Sequence, residues 1–247
     1  MYKYHIRPLP VFKTIYPCKL LLTYLLNGKE AQGTNQMFYI EGARRNILID
    51  ATPSAHDLKG LQPPGFSLEH LKSPEETLAE IGLKPRDIDI LILTHLHQDH
   101  TLNITKFANA EIYIQEDELS FARAPHPFWS STYLGINMDY LSKMRLRLIK
   151  GEYEVEESIK LIPTPGHTPG TQSVLIETPA GKAIIAGFCS IRENFEPPEK
   201  MRSQGVEVIP PGIFIDFKEA YESALRVKKM ADIVIPCHEN SLPKIIP

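Results

Sequence analysis

The strongest constraint on how this chain folds is a histidine-rich segment that follows a short apolar run. Residues 88–93 are almost entirely apolar, which is typical of a buried strand, and the run stops where THLHQDH begins at residues 94–100. Three histidines and one aspartate therefore fall within six positions directly after a rigid element. The pattern predicts that these polar side chains lie on a loop at the end of a strand.

The residue types in this loop are those that bind metal ions. Zinc, iron and manganese accept neutral imidazole nitrogens and carboxylate oxygens as ligands. The alternation of ligands allows His95 and His97 to face one ion while Asp99 and His100 turn toward another. A single histidine is more often a surface or hydrogen-bonded core residue, but these residues occur together in one motif. The spacing itself indicates two ions.

Two further histidines extend the pattern. His167 lies in PTPGHTPG, residues 163–170, where prolines and glycines predict a tight turn that can aim an imidazole inward; a solvent-exposed turn is the alternative. His238 comes just after the apolar run 233–235, another predicted buried strand. The histidines without a strand-end context are His5, His56, His70 and His126.

Composition narrows the classes of function. The chain has 247 residues, of which 43% are hydrophobic and 23% charged, and this fits a single domain over residues 1–247. Because 27 basic and 30 acidic side chains are spread without long runs, we expect no nucleic acid partner. Charges and prolines interrupt the apolar N-terminal residues, and no window reaches the roughly 20 apolar residues of a membrane span. We therefore expect neither a signal peptide nor a membrane partner.

The three cysteines, Cys18, Cys189 and Cys237, are odd in number and far apart. This spacing argues against a disulfide framework and for a reducing compartment, so we expect a cytoplasmic protein.

Apolar periodicity predicts alternating strands and helices. Ser73 and Asp216 are each followed three residues later by glutamate, which indicates two capped helix starts. Residues 125–140 show no period and are interpreted as a long functional loop. Its aromatic residues form either an apolar wall for a substrate or ordinary packing and a subunit interface: Phe128, Trp129, Tyr133 and Tyr140. Strands are predicted over residues 18–26, 37–41, 46–50, 88–93, 111–114, 146–149, 158–162, 173–177, 183–186 and 233–235, and helices over 74–81, 117–123 and from 216 onward.

Together these motifs resemble those of a known family. The pattern H-x-H-x-D-H after a buried strand, a later Gly-His turn and a last histidine after a C-terminal strand is similar to the metallo-β-lactamase superfamily. Within it, TPGHTPGTQSVLIET and the later ENFE look most like the N-acyl homoserine lactonase group. The resemblance implies an α/β fold, a four-layer αβ/βα sandwich of two mixed β-sheets with helices outside.

The same resemblance implies how the ligands divide. His95, His97 and His167 would hold one ion, and Asp99, His100 and His238 would hold the second. The cofactors would be two divalent ions, zinc first, with iron or manganese as alternatives. Asp99 would be a ligand only, or would also accept a proton from the attacking water.

The chain departs from the family pattern after residues 183–186. The superfamily usually has an aspartate there that bridges both ions, but this chain reads AIIAGFCSI. Phe188 takes the place by simple register and Cys189 comes next, so Cys189 is either a substitute ligand or a buried apolar residue. Residues 101–103 replace a Gly-rich turn, and Ser190 and Ile191 stand where the lactonase group tends to have a tyrosine.

Three functions remain open at this point. The first is hydrolysis of a lactone or related ester, or of a thioester, by water that a metal ion activates. The second is oxidation by a mononuclear iron site, since a bridging carboxylate is missing. The third is a non-catalytic metal-binding module. We expect a small-molecule substrate for the enzyme, and the oligomeric state stays open, a homodimer included.

Overall fold

The computed structural model describes residues 4–17, 30–136 and 138–247, and within them twelve strands form two sheets. The first sheet has seven strands in the order β4-β1-β2-β3-β5-β6-β7. Neighbouring strands from β3 to β7 are parallel, and the others are antiparallel. Its strands are β1 (His5–Tyr16), β2 (Ala31–Glu41), β3 (Ile47–Ile49), β4 (Ser67–His70), β5 (Ile90–Ile92), β6 (Glu111–Gln115) and β7 (Arg145–Ile149).

The second sheet has five strands in the order β12-β11-β10-β9-β8. Its last two strands along the chain, β11 and β12, are parallel, and the remaining pairs are antiparallel, so this sheet is also mixed. Its strands are β8 (Tyr153–Glu156), β9 (Ile159–Pro163), β10 (Gln172–Thr178), β11 (Gly181–Ala186) and β12 (Ile233–Pro236).

The helices are mostly short. The predicted N-caps are present: the Ser73 side chain accepts from the Glu76 backbone N–H, and the Asp216 side chain accepts from that of Glu219. None of the helices in the described part of the chain is both long enough and apolar enough to cross a membrane. They are α1 (Pro74–Ala79), α2 (Gln98–Thr101), α3 (Glu116–Arg123), α4 (Met138–Leu141), α5 (Arg192–Phe195), α6 (Glu199–Arg202) and α7 (Phe217–Met230).

The packing of the core divides the molecule into four layers, two sheets in the middle and helices on the outside. Between the sheets, apolar side chains of both inner faces pack together, for example Phe38 from β2 and Val174 from β10. Helices cover the outer faces: Val227 of α7 packs with Ile184 of β11, and Leu78 of α1 lies in the cluster on the first sheet. Each such side chain stabilises the fold by about 1.5–3 kcal/mol through burial. The predicted α/β sandwich with helices outside is confirmed.

Three strands were not predicted from the sequence: β1, β4 and β8. Strand β1 contains Pro8 and Pro10, which normally exclude a central strand because proline lacks the N–H that the ladder needs. In the structure β4 pairs only with residues 12–15 of β1, so the two prolines lie where β1 has a single neighbour, β2. The strand predicted over residues 18–26 lies outside the described residues.

The stretch 125–140 is less irregular than predicted. It contains a 3₁₀ turn, Ser130–Tyr133, and it runs into α4. Tyr133 is buried in this turn while Phe128 is 74% exposed, so part of the stretch is packed into the core and part faces solvent. The aperiodic pattern reflects short turns rather than an extended loop.

Candidate metal centre

The histidine-bearing segments meet at one edge of the sandwich. Strand β5 ends at Ile92, and residues 93–97 lead into α2. The turn between β9 and β10 carries His167, and His238 follows the last residues of β12. Because β3 and β5 are parallel neighbours, their carboxyl ends lie side by side, and Asp50 after β3 reaches Thr94 after β5. The sheet thus gathers chain segments that are far apart in sequence.

Three imidazoles form the first group, which we call the triad site: His95, His97 and His167. All three are buried, and their ligand atoms lie within 4.8 Å of one another. The Nε2 atoms of His95 and His167 are 3.2 Å apart. Two nitrogens bound to one tetrahedral zinc ion at 2.0–2.1 Å would be about 3.3–3.4 Å apart. The spacing therefore fits two ligands of a single ion.

Hydrogen bonds fix the tautomers of two triad imidazoles. His167 Nδ1 lies 2.6 Å from the carbonyl oxygen of Ile213, which can only accept, so Nδ1 carries the proton. His95 Nδ1 lies 3.1 Å from the Thr94 hydroxyl oxygen, and that hydroxyl donates to Asp50. In both residues the Nε2 lone pair is left facing the site. This is the orientation that a metal-binding histidine requires.

Burial keeps the triad site uncharged. It lowers the pKa of His95 and of His97 well below the usual value, with the neighbouring imidazoles adding to the effect. Burial also lowers the pKa of His167 to about 4, although its hydrogen bond to Ile213 opposes this. All three imidazoles are neutral at pH 7, which is the form that binds a cation.

A second group, which we call the mixed site, comprises Asp99, His100 and His238. His100 Nε2 lies 3.4 Å and His238 Nε2 lies 4.0 Å from Asp99 Oδ2. The same oxygen accepts a hydrogen bond of 2.8 Å from Asn35 Nδ2, which holds the carboxylate in place. His238 Nδ1 is buried and has no hydrogen-bond partner among the residues that the structure describes. One anion and two imidazoles thus lie beside the triad site.

The mixed site differs in charge from the triad site. Burial alone would lower the pKa of His100, but Asp99 and Asp50 outweigh it and raise this pKa to about 9. Burial raises the pKa of Asp99, yet the adjacent imidazoles bring it below its usual value. Burial lowers the pKa of His238 to about 4. The mixed site therefore holds a carboxylate and an imidazolium at neutral pH before any metal binds.

Asp50 contacts the mixed site directly and the triad site through Thr94, and it was not singled out in the sequence. Its Oδ1 accepts from the Thr94 backbone N–H at 2.8 Å, and its Oδ2 lies 2.8 Å from His100 Nδ1. Its φ of 64° is in the left-handed region, a conformation that costs about 1–3 kcal/mol outside glycine. The signal was present, because Asp50 follows the apolar run of β3 as His95 follows that of β5.

The residues after β11 face opposite ways. Phe188 is 1% exposed and packs against Phe195 in the outer layer, whereas Cys189 lines the cavity at the metal centre. The Cys189 thiol is hydrogen-bonded to the hydroxyl of Tyr16, and burial raises its pKa. Cys189 thus lies beside the site, and its role as a ligand stays a prediction.

A second thiol lies near the mixed site. The ligand atoms of His100, Cys237 and His238 are within 4.8 Å of one another. The Cys237 thiol donates to the carbonyl oxygen of Phe188 at 2.8 Å, and burial raises its pKa well above the usual value. In the sequence Cys237 stood directly before His238 but was weighed only for a disulfide.

The two sites form the floor of a cavity of about 110 Å³ that is partly open to solvent. None of the four aromatic residues predicted to form a substrate wall lines the cavity; Tyr133 instead packs edge-on against His97, with ring centroids 5.1 Å apart. The apolar part of the walls comes from β1, β4 and two loops: Phe12, Leu58, Pro63, Phe66, Leu68 and Ile213. Polar side chains also line the cavity: Thr14, Tyr16, Gln62, Gln98 and Thr132. Among the described residues that line the cavity there is no lysine or arginine.

Comparisons with known proteins agree with this geometry. Residues 32–238 match the sequence profile of the Metallo-beta-lactamase superfamily. An N-acyl homoserine lactonase of Bacillus cereus is 36% identical over 121 residues, which cover 48% of this chain and 46% of the lactonase. A probable metallo-hydrolase of Methanocaldococcus jannaschii is 29% identical over 167 residues, 68% of this chain and 64% of the relative. The lactonase alignment thus spans about half the length of that relative.

The fold has a solved counterpart. A crystal structure of a Bacillus thuringiensis AiiA variant, with N-decanoyl-L-homoserine bound at its active site, superposes with a TM-score of 0.76. The sequences are 24% identical, and the superposition covers 97% of this chain and 95% of the other. Because the profile covers more than half of the sequence and its histidine motifs fall inside the match, the chain belongs to the metallo-beta-lactamase superfamily.

Proposed function

We propose that this protein is a metal-dependent hydrolase that opens a lactone or a related ester bond. The observation that carries the proposal is the convergence of five imidazoles and one carboxylate on the floor of an apolar cavity. Imidazoles with lowered pKa values and outer hydrogen-bond partners suit a metal ion better than a structural role. The lactonase and metallo-hydrolase relatives support the same reaction class.

The residues of the chain would bind two ions. Zinc is our first choice for both, because the donors are imidazoles and a carboxylate. The triad site would hold one ion and the mixed site the other. A divalent ion held in this way lowers the pKa of a water molecule and polarises a substrate carbonyl. His95 and His167 keep their Nε2 atoms toward the ion because their Nδ1 atoms are engaged elsewhere.

Asp99 has two roles in this proposal, as a ligand and as the acceptor of the proton that the attacking water loses. Its side chain is 29% exposed, whereas those of His100 and His238 are 4% and 2% exposed. Its lowered pKa keeps it ionised at neutral pH. An ionised carboxylate that faces the cavity can take a proton from water and pass it to the leaving alkoxide.

The cavity favours a neutral substrate with an apolar chain. Its walls include aromatic and aliphatic side chains such as Phe12, Phe66 and Leu68, and its described lining holds no lysine or arginine. A substrate carboxylate placed against these walls, away from the cavity floor, would lose its hydration without gaining an ion pair with a basic side chain. An acylated lactone meets both conditions, because its ring carries no charge and its acyl chain can cover the apolar wall.

The test is a substrate panel on protein of known metal content. We expect kcat/KM for N-decanoyl homoserine lactone to exceed that for a carboxylate-bearing β-lactam by at least about tenfold, because the β-lactam anion must be desolvated. A decanoyl thioester and an aryl decanoate test the alternatives of thioester and simple ester hydrolysis. Chelator-treated protein is the matched control and should lose turnover of every substrate.

Two results would reject the proposal. The first is ester or lactone turnover that survives complete metal removal. The second is one iron per chain with oxygen consumption and no hydrolysis, which would restore the oxidation hypothesis; the relatives compared above give that hypothesis no support. Cytoplasmic location and the absence of a nucleic acid partner stay predictions from the sequence, and the oligomeric state stays open, a homodimer included.

A further inference from the structure

One buried carboxylate beside the triad site takes part in no step of the proposed hydrolysis. Glu118, on α3, is 0% exposed, and its four hydrogen-bond donors are all uncharged. Burial raises the pKa of Glu118 above its usual value, although these donors oppose the shift. A carboxylate removed from water without a cation is costly unless its oxygens are fully hydrogen-bonded. The Glu118 carboxylate therefore depends on all four hydrogen bonds and keeps their donors in place.

The first oxygen of this carboxylate holds the loop that carries two triad histidines. Glu118 Oε1 accepts from the backbone N–H of Leu96 at 2.8 Å, and Leu96 lies between His95 and His97. The same oxygen accepts from the hydroxyl of Tyr133 at 3.2 Å. Because the Tyr133 ring packs edge-on against His97, this second bond also restrains the His97 imidazole.

The second oxygen holds the turn that carries the third histidine. Glu118 Oε2 accepts from the hydroxyl of Thr168, the residue after His167, and from the backbone N–H of Gly170 at 3.3 Å. A Cβ at position 170 would lie 2.1 Å from the backbone nitrogen of Glu118. Only glycine lets the turn approach α3 closely enough for these bonds.

One buried carboxylate therefore links the two loops of the triad site through hydrogen bonds to both. Neutral imidazoles do not attract one another, so the 3.2 Å separation of the His95 and His167 Nε2 atoms needs support before metal binds. On the basis of the proposed metal centre, we propose that Glu118 is a positioning residue that sets the spacing of the triad histidines and thereby the affinity of the triad site. Its role goes beyond stabilising the fold.

The variant that tests this is Glu118→Gln, which keeps the size of the side chain but turns one acceptor oxygen into an NH₂ donor. In either orientation the NH₂ group of the amide faces the hydrogen-bond donors of one of the two loops, so the hydrogen bonds to that loop are lost. We expect the zinc dissociation constant of the triad site to rise by about 10–100-fold, as for other outer partners of metal ligands. The absorption spectrum of the cobalt-substituted protein should change as well.

Glu156→Gln is the matched control. Glu156, on β8, is also a buried carboxylate, but its partners are Arg44 and Arg45. We expect Glu156→Gln to lower the melting temperature of the metal-free protein and to leave zinc affinity and the cobalt spectrum unchanged. If both variants lower stability and neither changes affinity or spectrum, Glu118 is structural only and the inference is wrong.

A milder variant covers the case in which Glu118→Gln does not fold. Tyr133→Phe removes one donor to Glu118 and keeps the ring against His97, and we expect a loss of zinc affinity of a few-fold at an unchanged fold. Unchanged affinity in this variant would overturn the inference. The outcomes also separate the two proposals: if wild-type protein binds no ion through His167, the proposed function fails; if it binds one and the Glu118 and Tyr133 variants bind it equally well, only the positioning role fails.

Discussion

The triad site and the mixed site share one cavity floor but differ in how ready they are for a cation. The triad site holds three neutral imidazoles, two of them with fixed tautomers. The mixed site holds an ionised Asp99 next to His100, whose pKa is raised to about 9, so a proton occupies it at pH 7. A metal ion must displace that proton before it binds there.

The contrast shows that two adjacent sites that share residues of one loop need not be equivalent. The triad histidines are pre-organised by Glu118 and by outer hydrogen bonds, whereas the mixed site lacks the carboxylate that the family usually places between the ions. We therefore expect the triad site to bind first and most tightly. Three experiments test this ranking of the two sites.

The largest effect is expected from removing one ligand of each site. His167→Ala should lower kcat/KM by more than about 100-fold and remove the tightly held ion, because losing a ligand costs more than losing an outer partner. His238→Ala should remove only the weaker ion and retain the first. Metal analysis after gel filtration measures both. Equal loss of metal in the two variants would contradict the ranking of the sites.

A smaller effect is expected from pH. His100 is protonated below about pH 9 in the metal-free protein, so raising the pH toward 9 removes the competing proton and strengthens binding at the mixed site. Affinity there should rise roughly tenfold per unit between about pH 6 and 9, as for any site that must lose one proton. The triad site should change little over this range because the pKa of His167 is about 4.

Equilibrium dialysis against buffered zinc at several pH values gives both affinities, and calorimetry in buffers of different ionisation enthalpy counts the protons released. One proton per second ion at pH 7 is the expected result. Parallel pH dependence at both sites would mean that the charge difference between them does not govern metal binding.

The smallest effect is expected from Cys189→Ala. The thiol is hydrogen-bonded to Tyr16, and burial and the nearby Asp99 raise its pKa, so we expect it to pack rather than to bind. Metal content should stay the same and stability should fall by about 1 kcal/mol, a typical cost of one substitution. Urea unfolding and metal analysis test this. A loss of one ion per chain would instead identify Cys189 as the missing ligand of the mixed site.

The positions of most proposed ligands relative to strands and turns could be predicted from the sequence. Residues 94–100 directly follow an apolar run, so that run alone was enough to predict that they lie at the end of a strand. His238 followed from the same rule, and His167 from the prolines and glycines of its turn. Asp50 obeys it too, and it was missed because a single aspartate after a strand is common.

The rest depends on packing between distant segments. Glu118 lies in EDELS, which looks like the exposed acidic start of a helix, and its burial results from the turn around Gly170 that closes over α3. Cys189 faces the cavity because residues alternate after β11, whereas simple register had put Phe188 in that place. Asn35 on β2 reaches Asp99 although the two lie 64 residues apart in the sequence, and no sequence period predicts that pairing.

The turn around His167 also sets limits on how this protein can diversify. A methyl group at Gly166 would lie 2.1 Å from the backbone nitrogen of Ala220, and one at Gly170 equally close to α3. Substitution at either position would displace the turn that carries His167, the proposed ligand. The loop 51–66 is freer to change, because it lines the cavity through Leu58 and Phe66 without contributing a proposed ligand, so selection can reshape it while leaving the histidines untouched.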